Sequence, residues 1–300
     1  MLFRSHVVNV TGTCGGNLVG TTYTTNAVNA DCTVIANFAI DTHTVAPSVT
    51  GSGTITPNTP QTVNHGATTA FTIAANANNH VVNVTGTCGG NLVGTTYTTN
   101  AVNADCTVIA NFAIDTHTVT PSVSGNGTIT PNTPQTVNHG ATTAFTIAAN
   151  ANNHVVNVTG TCGGNLVGTT FTTNAVNADC TVIANFATNV LVFTTQPANV
   201  PRGDTLATIV VTEQDGSGNT IADNATVNFS ITACSAPLQL GSVAMVNGVA
   251  TLNSNQHFYT LASGLTIGAS SGSLSANSGG FNVVAGTDYV FADGYEGCRP

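Results

Sequence analysis

The stretch His154-Val-Val-Asn-Val-Thr-Gly-Thr-Cys162 decides how this chain is read, because it also stands at His6 to Cys14 and at His80 to Cys88. The spacing is 80 − 6 = 74 residues, and residues 6–42 are identical to residues 80–116. An active site has to be built only once, whereas near-verbatim copying supplies length, reach and number of copies. Working outward from this stretch, the chain is a tandem array followed by a different C-terminal segment.

Within the stretch, Val156, Val158, Gly160 and Cys162 share one parity, as do Cys180, Val182, Ala184 and Phe186 further on. Period two marks half-buried strands, so both thiols are expected on the apolar side. Six of the eight cysteines recur at one spacing, as Cys14 with Cys32, Cys88 with Cys106 and Cys162 with Cys180. If the strands that carry them are neighbours, a disulfide inside each copy is natural and closes a short loop, worth about 3 kcal/mol by loop entropy. Free buried thiols and a metal site are the alternatives; zinc favours close pairs such as Cys-x-x-Cys, which are absent. Disulfides imply an oxidising space, and so an extracellular or cell-surface location. Cys234 and Cys298 form a fourth candidate pair whose separation nothing in the sequence fixes.

Composition agrees with an all-β chain. There is no Lys or Trp, only 3 basic residues against 12 acidic ones, and a net charge of −9. Abundant Thr and Val favour pleated strands, and clusters of Gly, Asn and Pro break them every few residues. The charge excludes binding to a nucleic-acid backbone, which requires a basic patch to displace counterions. No apolar run reaches the roughly 18 residues that span a bilayer as a helix.

One complete unit, residues 117–187, reads as short strands. Residues 117–124 and 128–130 flank Gly125-Asn126-Gly127, a hairpin signal, and residues 135–138 and 142–148 flank His139-Gly140. Residues 153–159, 168–173 and 180–186 follow. The expected core is Val119, Val123, Ile129, Val137, Phe145, Ile147, Val156, Val158, Phe171, Val182 and Phe186. Such a small core makes the cross-link important.

The motifs Gly-x-Gly-x-Ile-x-Pro, Asn-His-Gly-Ala-Thr-Thr-Ala-Phe-Thr-Ile, Cys-Gly-Gly-x-Leu-x-Gly-x-x-Tyr/Phe-Thr-Thr and Asp-Cys-Thr-Val-x-Ala-x-Phe lie between residues 6 and 187. Together they resemble the divergent internalin B-type repeat of bacterial surface proteins. The resemblance implies an all-β module, used in tandem on secreted or surface proteins and typically without catalysis. His154-Val-Val-Asn-Val158 stands where the family often carries Tyr or Trp, so no aromatic binding surface is carried over.

After Ala187 the period stops. About seven short strand segments, including residues 191–197, 208–212, 225–232, 246–252, 261–269 and 281–284, read as an immunoglobulin-like β-sandwich and resemble the immunoglobulin-like domains of bacterial surface proteins. The expected divisions are therefore a truncated repeat at 1–42, complete repeats at 43–116 and 117–187, the sandwich at 188–287 and a tail at 288–300. Residues 1–5 have no counterpart before the later copies, which is expected of a fragment starting inside a longer chain.

Other groups carry weaker signals. Gly268-Ala-Ser270-Ser-Gly272 fits a nucleophile elbow by pattern, but that device needs a strand entering a helix. Asp215-Gly-Ser217-Gly-Asn219, near Glu213 and Asp223, alternates oxygen ligands as a calcium loop does, yet lacks a bidentate Glu at the right distance and also reads as a turn. The histidines at 43, 65 and 80, and again at 117, 139 and 154, are not at metal-ligand spacing in sequence. Thr21-Thr-Tyr-Thr-Thr25 lacks the short period an ice-binding threonine ladder would need.

The sequence thus predicts a non-catalytic extracellular repeat segment, a stalk or adhesive module, with no catalytic residue, no cofactor, no metal and an unidentified glycan or protein partner. The alternative is an accessory region of a secreted hydrolase whose catalytic domain lies upstream.

Overall fold

The computed structural model describes residues 4–233, 236–259 and 261–286. Every regular element among them is a β-strand. The chain divides into two compact units, Met1–Thr116 and His117–Pro300.

In the first unit, the module starting at residue 42 consists of two four-stranded sheets. One runs in the order Gln61–Asn64, Thr42–Thr50, Cys106–Ile114, Asn79–Thr85, and the other in the order Gly90–Val93, Thr96–Thr99, Ala70–Ala75, Gly53–Thr56. The first and last strands of the module are neighbours and pair in parallel, Val45 opposite Cys106, while the remaining pairs are antiparallel. Closing the unit on itself this way brings Val45, Phe71, Ile73, Tyr97, Val102, Val108 and Phe112 into one core. Burial lifts the Tyr97 phenol above its ordinary range.

The copy at residues 6–42 contains only the second half of a module. Its strands Ser5–Thr11 and Ile35–Ile40 pair as in the complete copy, and so do Gly16–Val19 and Thr22–Thr25. Its core residues have nothing to close on: Phe38 is 64% exposed, whereas its counterpart Phe112 is 7% exposed. Local pairing is therefore encoded within the half-unit, and burial requires the other half.

The second unit opens with the same architecture. One sheet is ordered Gln135–Asn138, Thr116–Ser124, Cys180–Thr188, Asn153–Thr159, and the other Gly127–Thr130, Ala144–Ala149, Thr170–Thr173, Gly164–Val167. Two expectations are corrected here. The segments flanking Gly125-Asn126-Gly127 do not form a hairpin, because Thr116–Ser124 pairs with Cys180–Thr188 in one sheet and Gly127–Thr130 pairs with Ala144–Ala149 in the other. The turn instead carries the chain between sheets. Gly127 lies against the Phe186 ring, where a Cβ would collide with the ring edge. The segments flanking His139-Gly140 likewise belong to different sheets.

The second correction concerns the core. Val156 is 54% exposed and Val123 is also exposed, while Val155 and Val158 pack on the buried cluster and Val176 and Ala184 lie within it. For Val156 the cause is a β-bulge between Val155 and Asn157, which breaks strict alternation and sends Val155 and Val158 inward, whereas Val123 stands in the exposed last residues of strand Thr116–Ser124.

From Val190 onward, strands Val190–Thr195, Ile209–Gln214 and Val249–Leu252 form one sheet. Ala236–Ala244, Thr226–Ala233, Ile267–Ser271 and Leu274–Asn277 form another, and Val200–Pro201 runs parallel to Phe281–Val284 beside Ala262–Leu265. In strand letters the main sheets are A-B-E and C′-C-F-G, the order of an immunoglobulin-like sandwich. Ile209, Val211, Phe229, Ile231, Ile267 and Phe281 fill the interior. Cys234, Cys298 and the tail lie outside the described residues.

Candidate functional site

Each repeat carries the same covalent and polar belt. Cys14–Cys32, Cys88–Cys106 and Cys162–Cys180 are disulfides, each of sequence separation 18, with Cα–Cα distances of 4.8, 5.0 and 5.0 Å. In the third copy, Cys162 follows the strand Asn153–Thr159 and Cys180 opens the neighbouring strand, so the bridge clamps adjacent chain segments. Next to it, the Thr181 amide donates to Thr161 Oγ1 at 3.0 Å and the Thr161 amide donates to Thr181 Oγ1 at 3.3 Å. Further along, Asn185 Nδ2 donates to Asn157 Oδ1 at 2.7 Å and to Thr159 Oγ1 at 3.0 Å. Neutral cross-strand pairs of this kind stabilise a sheet without charge, which accounts for the Thr and Asn content of a chain almost devoid of Lys and Arg.

The histidines form two recurring groups that linear spacing conceals. In the first, His6 Nδ1 meets Asp41 Oδ1 at 2.9 Å and His80 Nδ1 meets Asp115 Oδ1 at 2.9 Å, each 35 residues apart. In the second, His43 Nε2 and His65 Nδ1 lie 2.9 Å apart, and His117 Nε2 and His139 Nδ1 lie 3.0 Å apart. Both residues of each such pair are half-buried. Sequence spacing gave no warning, because each pair spans 22 residues and meets only when the strand after the turn folds back on Thr42–Thr50 or Thr116–Ser124.

The third copy of the His/Asp contact has changed chemistry. Asn189 replaces the aspartate, accepts from His154 Nδ1 at 2.7 Å, and donates through Nδ2 to Glu213 Oε1 at 2.5 Å. Glu213 is fully buried, and its Oε2 has no hydrogen-bond partner among the described residues. Burial pushes its carboxyl above the usual range; the nearby Asp223 adds to the rise, and the bond from Asn189 opposes it. Beside this pair, residues 149–153, Asn189, residues 221–223 and Ala225 border a polar cleft of ≈ 270 Å³. A signal for Glu213 did exist in the sequence: Ile209, Val211 and Glu213 share one parity, and all three are buried.

Asp215 behaves as a turn residue. Its carboxylate accepts from the amides of Ser217 and Asn219 at 2.8 and 2.9 Å and from Asn219 Nδ2 at 2.9 Å, and these bonds, led by Asn219, hold it below the usual range. Ser270 sits within strand Ile267–Ser271, paired with Asn228, and not at a strand-to-helix turn. Among the described residues, no helix is long and apolar enough to cross a membrane.

The model of the Divergent InlB B-repeat domain family matches residues 43–116 and 117–190. No curated protein matches the chain. Among solved structures, the crystal structure of domains A168-A170 from titin aligns with 72% of this chain and 90% of its own, at 9% identity and a TM-score of 0.17.

Proposed function

We propose that this chain is a non-catalytic extracellular segment, a stalk or adhesive module of a bacterial surface or secreted protein, in which disulfide-pinned repeats space and present an immunoglobulin-like domain. The observation that carries this reading is the disulfide found at the same place in each of the three copies. A staple repeated with its module reinforces each brick separately, as a load-bearing or spacing array requires, and it persists only in an oxidising compartment. The two matched repeat domains support a surface or secreted setting. The partner is an extracellular glycan or protein surface.

The test is the location and thiol state of the protein in its own cell. Surface-accessible labelling of intact cells, combined with alkylation before and after reduction, is expected to find the chain outside the membrane with Cys88 and Cys106 blocked until reduced. An intracellular chain with freely alkylated Cys88 and Cys106 would overturn the proposal.

A further inference from the structure

The histidine pairs of the complete repeats have the makings of a ligand site. His43 Nε2 and His65 Nδ1 face one another at 2.9 Å, and 74 residues on His117 Nε2 and His139 Nδ1 do so at 3.0 Å. Of two neutral imidazoles in this contact, one donates its N–H and the other presents its lone pair. The ring nitrogen of His43 on the far side, Nδ1, looks towards Asp105 Oδ1 at 3.8 Å, and that of His117 looks towards Asp179 Oδ1 at 3.8 Å. Each aspartate is itself fixed, accepting the amide of Thr44 or Thr118 at 2.8 Å. A negative charge on that side favours the tautomer with the proton on Nδ1, leaving Nε2 as the electron-pair donor. At 3.8 Å this is a charge contact, longer than the direct hydrogen bond by which a carboxylate orients an imidazole ligand at a metal centre.

We infer that each complete repeat binds one divalent transition-metal ion, of the zinc or copper class, between His43 and His65 and between His117 and His139. The ion takes Nε2 of the first histidine and Nδ1 of the second, whose proton moves to its own Nε2. Two nitrogens bound tetrahedrally at about 2.0–2.1 Å lie about 3.3 Å apart, so the observed contacts need to open by a few tenths of an ångström and the two rings to turn until both lone pairs meet at the ion instead of facing one another. Partial burial restrains both rings, while their remaining exposure admits the water that completes coordination. Among the described residues, no group of three or more His, Cys, Asp or Glu side chains is arranged for a metal. The site is therefore a two-imidazole one with exchangeable water positions, suited to moderate affinity and tighter for Cu²⁺ than for Zn²⁺. Asp105 and Asp179 are positioning residues.

Calorimetric titration of the untagged, oxidised full chain with Zn²⁺, and separately with Cu²⁺, tests this. Two ions per chain are expected, one after His65→Gln and none after His65→Gln combined with His139→Gln, while His80→Gln retains both. Asp105→Asn with Asp179→Asn is expected to weaken binding by less than about 10-fold, below the effect of directly hydrogen-bonded outer partners, with the stoichiometry unchanged. Imidazole NMR signals of the unmodified protein give a readout independent of variant folding: Zn²⁺ is expected to shift those of His43, His65, His117 and His139 and to leave those of His80 and His257 in place. Absence of binding, a stoichiometry indifferent to His65→Gln and His139→Gln, or shifts spread over all histidines would overturn the inference.

Discussion

Asn189 donates its side-chain amide to the buried Glu213 Oε1 at 2.5 Å while accepting from His154 Nδ1 at 2.7 Å, joining the last repeat to the first sheet of the following domain. The equivalent positions, Asp41 and Asp115, are carboxylates. An aspartate at 189 would set a second negative charge against Glu213, whereas the amide satisfies both neighbours at once.

The raised Glu213 carboxyl makes stability depend on pH. An acid whose folded-state pKa lies above its unfolded value stabilises the fold fully below the unfolded pKa, near 4.5, and loses that contribution as pH rises through the folded one. Ionised Glu213 is thus a burden at neutral pH. Glu213→Gln keeps an acceptor for Asn189 and supplies a donor towards Asp223, so it is expected to raise Tm at pH 8, with the gain shrinking as pH falls towards 4. Thermal melts of both proteins across that range check the sign, and a gain that grows on acidification would contradict it.

Cys88–Cys106 closes its loop in a module whose two four-stranded sheets are both complete. Replacing both residues with Ala is expected to cost about 3 kcal/mol of stability, the loop-entropy value for this length. Denaturant unfolding of the variant and of the oxidised parent measures the difference. Equal midpoints would mean that the bridge is incidental to folding.

Gly127 and its counterpart Gly53 sit where a Cβ would strike the rings of Phe186 and Phe112. Gly127→Ala is expected to destabilise the third repeat by about 1–3 kcal/mol, as overpacking does. Adding Phe186→Leu should recover part of this loss, because the shorter side chain vacates the contested space. A double-mutant cycle of urea midpoints decides whether the two positions are coupled.

Between Arg4 and Arg202 there is no Lys or Arg. Trypsin acting on reduced, denatured protein should therefore release residues 5–202 as one fragment, visible as a single mass. That fragment holds five Asp, seven His and one Arg, so with terminal charges cancelling its net charge is −5 + 1 = −4 with neutral histidines and −4 + 7 = +3 with all of them protonated. Imidazoles charge around pH 6. Capillary electrophoresis from pH 8 to 5 should show mobility change sign, and a fragment anionic throughout would refute the reading.

Much of the architecture was legible in the sequence because it rests on local signals. The 74-residue period, the strand-rich composition and the common parity of Cys180, Val182, Ala184 and Phe186 all come from short stretches, and the last three of those residues are buried. The failures occurred where a local rule met a nonlocal one. Gly125-Asn126-Gly127 carries a hairpin signal, yet the flanking strands find better partners in two sheets. Val156 fits an alternating pattern that the bulge at Val155–Asn157 breaks. The histidine pairs were invisible because their members meet across a strand pairing and not along one element.

The sequence by itself determined that the chain is a tandem array of strand-rich modules with one cysteine pair per copy and almost no positive charge, since period, composition and alternation are properties of residue order. Only the tertiary structure decided which strands are neighbours, that the first and last strands of a module pair in parallel to close it, and that His43 meets His65 while Asn189 meets Glu213. The reason is physical: alternation fixes which face of a strand turns inward but not which strand lies beside it. That choice is made by the burial of apolar surface over the whole module, as the exposure of Phe38 beside the burial of Phe112 makes plain.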